Sequence, residues 1–345
     1  MAGNAFLVPN GTAGLIKEVT RGTTPTSGTV FYIPVTDATI TPDQRFNLDG
    51  ALRGSPIDPT DGGGYDMVQS VRTDSFDHKS LVYADTFPVY MKALLGGTDT
   101  VTTTTASYSH AIPLLNAAAT GSQPVSYSWC SFDGANYFAL PNSQAASLNL
   151  TFGAEAAAEA TLKWVSNAYV DSTTAPTAFA SPSFTAEHPV PAWNSSVTIG
   201  GGSPITYIES GELTIDRKTA PIFPLGTQGA YSNFAGGISV KGKFTCVVAS
   251  NADPFSISTT TGYALTRITK AVVITLTDPN DVHTSINDSI SFQMSACQFE
   301  NVKRSPSKNY LTLDVEFNAE ANTTDTASGY SPVTFTGVNG ISAAF

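Results

Sequence analysis

Charge is scarce in this chain. Asp, Glu, Lys and Arg make up 13% of its 345 residues, against roughly 25% in an ordinary soluble protein. Ser, Thr, Asn and Gly, or neighbouring molecules, must therefore cover much of the surface. Positive charge is the scarcer sign. Only 17 Lys and Arg stand against 28 Asp and Glu, a formal balance of -11, which argues against a protein that grips nucleic acid by its phosphates. Cysteine is almost missing: Cys130, Cys246 and Cys297 are odd in number and widely spaced, which suits buried thiols better than a disulfide framework or a zinc site. No apolar run approaches the roughly 20 residues that a bilayer-crossing helix needs. The N-terminus, MAGNAFLVPNGTAGLIKEV, lacks the basic region and apolar stretch of a secretory signal. A product soluble in the cytoplasm where it is made, with no membrane partner, is expected.

Catalytic signatures are missing as well. The four histidines, His78, His110, His188 and His283, are dispersed, with no HExxH and no partner at ligand spacing. There is no Gly-x-Ser-x-Gly elbow and no phosphate loop; Gly62–Gly64 and Gly200–Gly202 do not precede helices and read as flexible loops. Asp58, Asp61 and Asp66, or Asp278 with Asp281, offer oxygens without a full calcium pattern and read as turn residues. Trp129, Trp164 and Trp193 are too scattered to form a sugar-stacking platform and read as core. No catalytic, cofactor-binding or metal-binding residue is expected, and no cofactor.

What the chain does contain is alternation. In Tyr207–Val248, Ile238, Val240, Gly242, Phe244, Cys246 and Val248 fall on one face of an extended strand, with Ser239, Lys241, Lys243 and Thr245 on the other. Leu213 and Ile215 alternate with Glu212, Thr214 and Asp216 before Pro221 and the Leu225–Gly229 loop. This is a long two-stranded unit with a polar surface. One helix is expected after Asp85 or Thr86, with Pro88 in its first turn, Phe87, Tyr90, Met91, Leu94 and Leu95 as its apolar stripe and Gly96-Gly97 as its stop.

The order of elements repeats. Tyr32-Ile33, Asp37 and Thr39-Ile40 match Tyr207-Ile208, Glu212 and Thr214-Ile215; Ala84-Asp85-x-Phe87 matches Ala252-Asp253-x-Phe255. Cys130-x-Phe132 matches Cys297-x-Phe299, and Phe152-x-Ala154-Glu155 matches Phe317-x-Ala319-Glu320. Collinear matches of this kind point to two copies of one β-rich domain. The expected organisation is an N-terminal arm over 1–29, a first domain over 30–170, a linker over 171–204, a second domain over 205–322 and a C-terminal arm over 323–345.

Several motifs carry a family resemblance. Ile16-Lys17-Glu18 with Arg21-Gly22-Thr23, Tyr32-Ile33-Pro34-Val35, Ala84-Asp85-Thr86-Phe87-Pro88, Leu94-Leu95-Gly96-Gly97, Gly211–Arg217, Leu225–Gln228 and Val240-x-Gly-Lys-Phe244 resemble the major tail tube proteins of long-tailed bacteriophages, in the right order over most of the chain. The resemblance implies a mainly β fold of two similar sandwich or barrel domains, each with one short helix, plus the two arms. It implies a structural virion protein, with no enzymatic activity, that polymerises as stacked rings, here trimers of a fused duplicate, into the tube through which the genome passes. Tape-measure, tail-tip and tail-terminator proteins are the implied partners, DNA passes without specific binding, and the site is the virion tail after assembly in the host cytoplasm. A neutral-to-acidic lumen lets a duplex slide; Glu212, Asp216, Asp314 and Glu316, on polar strand faces, are the candidate lumen acids, a solvated outer face being the other reading. The alternatives are a carbohydrate-binding β-sandwich and a virion decoration or adhesin protein, with a hydrolase on a β scaffold as a more distant one.

Overall fold

The computed structural model describes residues 11–48, 67–104, 107–116, 123–184, 188–248, 269–283, 286–306, 310–326 and 328–345. They form strands β1 (Thr12–Lys17), β2 (Val30–Tyr32), β3 (Val35–Leu48) and β4 (Met67–Leu81), then helix α1 (Phe87–Leu95). Next come β5 (Thr100–Thr104), β6 (Ser107–Pro113), β7 (Tyr127–Phe132), β8 (Tyr137–Gly153), β9 (Glu159–Ser166) and β10 (Val170–Ser172). The remainder is β11 (Ser195–Ile199), β12 (Ile208–Ile222), β13 (Ser232–Val247), β14 (Thr269–His283), β15 (Ile286–Ser305), β16 (Thr312–Ala319) and β17 (Thr334–Asn339). The fold is mainly β, as the alternation and the resemblance led us to expect, with one short α-helix among the described residues where the resemblance implies one in each domain. The counterpart expected at Asp253-Pro254-Phe255 lies outside the described residues, as do Asp58, Asp61, Asp66 and Gly62–Gly64.

Two sets of six strands pair in the same order. The first runs β1-β7-β8-β9-β4-β3, and the second runs β11-β14-β15-β16-β13-β12. Every joint in both is antiparallel. The register of one set onto the other is fixed by a shared irregularity. β8 slips against β9 between Ala145 and Ser147, opposite Trp164 and Lys163. β15 slips against β16 between Glu300 and Lys303, opposite Glu316 and Asp314. Superposing the slips sets Phe76 and His78, opposite Trp164 and Leu162, against Phe244 and Cys246, opposite Val315 and Leu313. Ile40, paired with Phe76, then corresponds to Gly211, paired with Phe244. The sequence matches give a different register: Ile40 is four residues from its matched partner Ile215. Cys130 and Cys297 lie on β7 and β15, and Phe152 and Phe317 on β8 and β16, strands that do not correspond.

The long strands do two jobs. β8 pairs with β7 and β10 up to Ser143, then with β9 and β12 from Gln144 onward, and it bends near Asn142, whose φ of 54° is the left-handed region. The joint between β8 and β12 fuses the sets into one sheet, in the order β3-β4-β9-β8-β12-β13-β16-β15. Glycines make two of its close approaches possible. The place a Cβ would take on Gly211 is filled by the Phe152 ring, and on Gly242 by the Phe317 ring, so each phenylalanine lies flat over the neighbouring strand.

One face of this sheet is apolar. Leu148, Leu150, Leu162, Trp164, Leu213, Ile215, Phe244, Phe299 and Phe317 are buried in a single core with Phe87, Val89, Tyr90, Met91, Ala93, Leu94 and Leu95 of α1, each large side chain contributing about 1.5–3 kcal/mol. The helix packs on β8, β6 and β17. Gly96, at φ 78°, ends it by donating its N–H to the Lys92 carbonyl. Its last carbonyls, Leu94 and Leu95, accept from Arg217 on β12, a buried guanidinium whose pKa burial lowers to about 10. A helix in one strand set is thus capped by a cation from the other.

Several stretches expected to be irregular are strands. Within 1–29, β1 pairs with β2 and β7 and buries Leu15 and Ile16; the Gly/Thr-rich composition hides a strand whose neighbours supply the partners. The 171–204 linker contains β11, paired with β14. The clearest departure is 323–345. Instead of trailing off, it forms β17 between β15 and β6, burying Val333 and Phe335, and ends with Phe345 buried against Phe31 and His110.

Candidate channel and assembly surfaces

The opposite face of the eight-stranded sheet is polar, because period-two alternation that puts leucines and aromatics inside must put their neighbours outside. Following the register across it, one row reads Glu159, Thr151, Glu212, Lys243, Glu316 and Glu300. A row two residues away reads Lys79, Thr161, Asn149, Thr214, Lys241, Asn318 and Gln298. All four candidate acids lie on this face. Glu212 accepts from Asn149 Nδ2 at 2.9 Å and sits opposite Lys243. Glu316 sits opposite Lys243 on its other side and accepts from Asn301 Nδ2 at 2.9 Å. Asp314 accepts from Thr245 Oγ1 at 2.8 Å and sits opposite Lys303. Asp216 is exposed between Ser147 and Ser239.

Lysines interleave with these acids, a feature that reading strands singly does not reveal. Lys79 bridges Glu159 at 2.7 Å, Lys163 faces Asp77, and Lys243 stands between Glu212 and Glu316. Opposite charges directly across a ladder stabilise it by about 0.2–1 kcal/mol. They also leave no uninterrupted cationic track along the face. The signal available in the sequence was the Lys241/Lys243 alternation; the positions facing it are set by pairings with β12 on one side and the more distant β16 on the other.

The remaining sequence candidates disperse. His78 is buried, accepts from Trp164 Nε1 at 3.1 Å, and is pushed down to about 3 by that burial. His110 is buried against Asp99, His188 is exposed, and His283 ends β14. Trp129 and Trp164 are core, whereas Trp193 is 64% exposed. It follows Pro191 in a short 3-10 turn that buries Ala192 instead. Cys130, Cys246 and Cys297 are free and buried, and burial raises the Cys130 and Cys297 thiols to about 12. Gly200 and Gly201 turn the chain after β11 at φ 66° and 73°. Asp278 accepts from the Asn280 N–H at 2.9 Å, a local turn bond. Among the described residues no group of three or more His, Cys, Asp or Glu is placed to hold a metal.

Other motifs behind the resemblance have work away from the polar face. Glu18 is buried and accepts from Ser126, Ser128 and the N–H groups of Asn142 and Gly22, with Gly22 at φ 79°. Arg21 crosses to the second strand set, donating to Ser232 Oγ at 3.0 Å and the Asn233 carbonyl at 3.2 Å. Gln228 donates to the Ser70 carbonyl at 2.9 Å and accepts from the Arg72 N–H at 2.9 Å. Arg21 and Gln228 tie one half of the chain to the other. The chain matches the family described as phage tail tube protein over residues 9–319.

It belongs to that family. No curated protein matches the chain. For a phage tail tube protein the match has an informative limit: it takes in both strand sets and stops at Ala319, the last residue of β16, so β17 lies beyond it. Membership makes the chain a structural component of a bacteriophage tail that assembles with other tail parts into a tube. It assigns no chemistry to any of the clusters described above.

Proposed function

We propose that three copies of this chain close into a ring, that rings stack into the tail tube, and that the charged sheet face lines the bore. The observation that carries this reading is the fusion of two like-ordered strand sets through β8 and β12. A chain built this way is an arc of two units, which we take as two copies of one tail-tube domain. The expected boundaries 30–170 and 205–322 then need widening to admit β1 and β11 as the first strand of each copy. Eight strands per chain give twenty-four in a trimer. At about 4.8 Å between strands and a tilt of about 40° the wall measures about 150 Å around, or about 50 Å across. A duplex roughly 20 Å wide passes with room for side chains.

The two faces of the sheet support its orientation. The apolar face carries α1 and the rest of the core, so only the polar face is available to a passing polyanion. Lys79, Lys163, Lys241, Lys243 and Lys303 are each opposed by a carboxylate or amide, which limits counterion release by DNA and hence adhesion. Glu212, Asp216, Asp314 and Glu316 are the acids assigned to the bore. Electron microscopy of the purified protein at high concentration, and of tails carrying it, tests the proposal. Rings or tubes with pseudo-six-fold end views are expected; a monodisperse monomer across concentration and salt, with tails that lack the chain, would overturn it.

A further inference from the structure

The joint inside the chain is a template for the joint between chains. In the first strand set the C-terminal half of β8 does not end the sheet, because Ser147–Gly153 pair with Asp216–Ser210 of β12. The shared slip makes Lys303 the counterpart of Ser147 and Arg304 the counterpart of Leu148. Among the described residues, Glu300–Ser305 pair only with β16, so their outer edge has no strand on it. β3, the counterpart of β12, pairs only with β4 among those residues. A groove of about 500 Å³ runs beside it, with Thr36, Ala38, Ile40 and Pro42 on one wall and Ser131 and Phe138 on the other. An edge with unpaired N–H and C=O groups is a template for another strand.

We propose that β15 of one chain adds to β3 of the next, repeating the β8–β12 joint between molecules. The inference rests on the tube reading and names the surfaces that reading requires. Direction agrees: eight strands alternate across the sheet, so β3 and β15 run oppositely and their joint is antiparallel like all the others. Register follows from the template. Thr214 lies opposite Asn149 and Ile215 opposite Leu148, so Asp43 meets Ser305 and Gln44 meets Arg304, with Lys303 diagonal to Asp43 on the polar face. Curvature agrees as well. Tracing the pairings, Ile40 and its counterpart Gly211 lie six residues apart along the strands after four strand steps. At about 3.3 Å per residue and about 4.8 Å per strand that stagger is a tilt of about 45°, within the range of closed barrels. Repeating one joint therefore propagates one tilt around the ring.

Disulfide trapping tests the joint. Opposed residues on an antiparallel ladder have the Cα separation a disulfide needs, and the native cysteines are all buried. Tubes assembled from an Asp43→Cys/Ser305→Cys variant are expected to give covalent dimers and closed trimers on oxidation. Each single variant, and a Thr39→Cys/Ser305→Cys pair four residues out of register, are expected to stay monomeric on the same gel. Rings that form normally but yield no crosslink, or that crosslink equally well out of register, would overturn this joint and leave the tube intact. Failure of the wild-type chain to form rings would overturn both.

Discussion

At the residue scale, the side chains with unusual surroundings act on folding. His78 sits under Trp164 and beside Phe76 and Trp129. Its Nδ1 accepts from an indole N–H and its Nε2 has no partner among the described residues. Nothing there stabilises an imidazolium, so burial lowers the folded value to about 3, against about 6.5 in the unfolded chain. Between those values the unfolded chain holds a proton that the folded chain does not, so stability is complete above about pH 6.5 and falls as pH drops toward 3. Urea midpoints from pH 7 to pH 4 should decline less for His78→Gln, which keeps an acceptor for Trp164, than for wild type. Equal slopes would show that His78 does not contribute. His110 has the opposite surroundings. Both ring nitrogens face acceptors, Asp99 Oδ2 at 2.9 Å and the Ile341 carbonyl at 2.8 Å, which calls for a doubly protonated ring. Burial lowers its pKa, but the Asp99 and Ile341 bonds outweigh that and the net direction is up.

At the element scale, β17 is the piece that sequence reading places outside the domains. Its strand is short and Thr/Gly-rich, with only Phe335 and Val338 as large apolar residues. Its stability comes from partners. β15 and β6 pair with its two edges, Phe335 packs on Phe87 and Phe292, and Asn339 Nδ2 donates to the Ala84 carbonyl. A segment so engaged cannot be cut away freely. Phe335→Ala is expected to cost about 3–5 kcal/mol, read as a lower urea midpoint, and removal of 323–345 should reduce the soluble folded yield. Full stability after truncation, with only ring stacking impaired, would restore the arm reading. The helix and the long hairpin were legible for the complementary reason. α1 carries its own stripe, stop glycines and first-turn proline, and β12 and β13 alternate over many residues, so their signals are local. β1 and β11 are short strands with partners far along the chain, in β7 and β14, and β5 is a short Thr-rich strand paired with its neighbour β6.

At the scale of the whole molecule, the question is what faces DNA. The polar sheet face offers carboxylates, amides and hydroxyls, with Lys241 and Lys243 opposed across the ladder. Replacing Asn149 and Thr214, neighbours in the centre of that face, by lysine adds two cations per chain, six in a trimer. Because each phosphate contact releases counterions, ejection by such phages is expected to slow, most at low salt, with the deficit closing as salt rises. Ejection kinetics that match wild type at all salt concentrations would show that this face does not meet the duplex. The four acids were legible as residues on wet strand faces. Their position on one shared surface was not, because Glu212 and Asp216 are on β12 while Asp314 and Glu316 are on β16, joined only through β13.

Composition and periodicity alone settled the class of molecule: strands with one wet face, one helix with its own start and stop, little charge and no assembled chemistry. Those properties depend on neighbours within a few residues, and a linear reading carries them. The tertiary structure decided which strands are adjacent, and so the register of one half on the other, the lysines opposite the acids, and the folding back of the C-terminus as a strand. Strands that lie tens of residues apart at the β8–β12 joint, and more than two hundred at the β6–β17 joint, make those choices, and no local pattern encodes them.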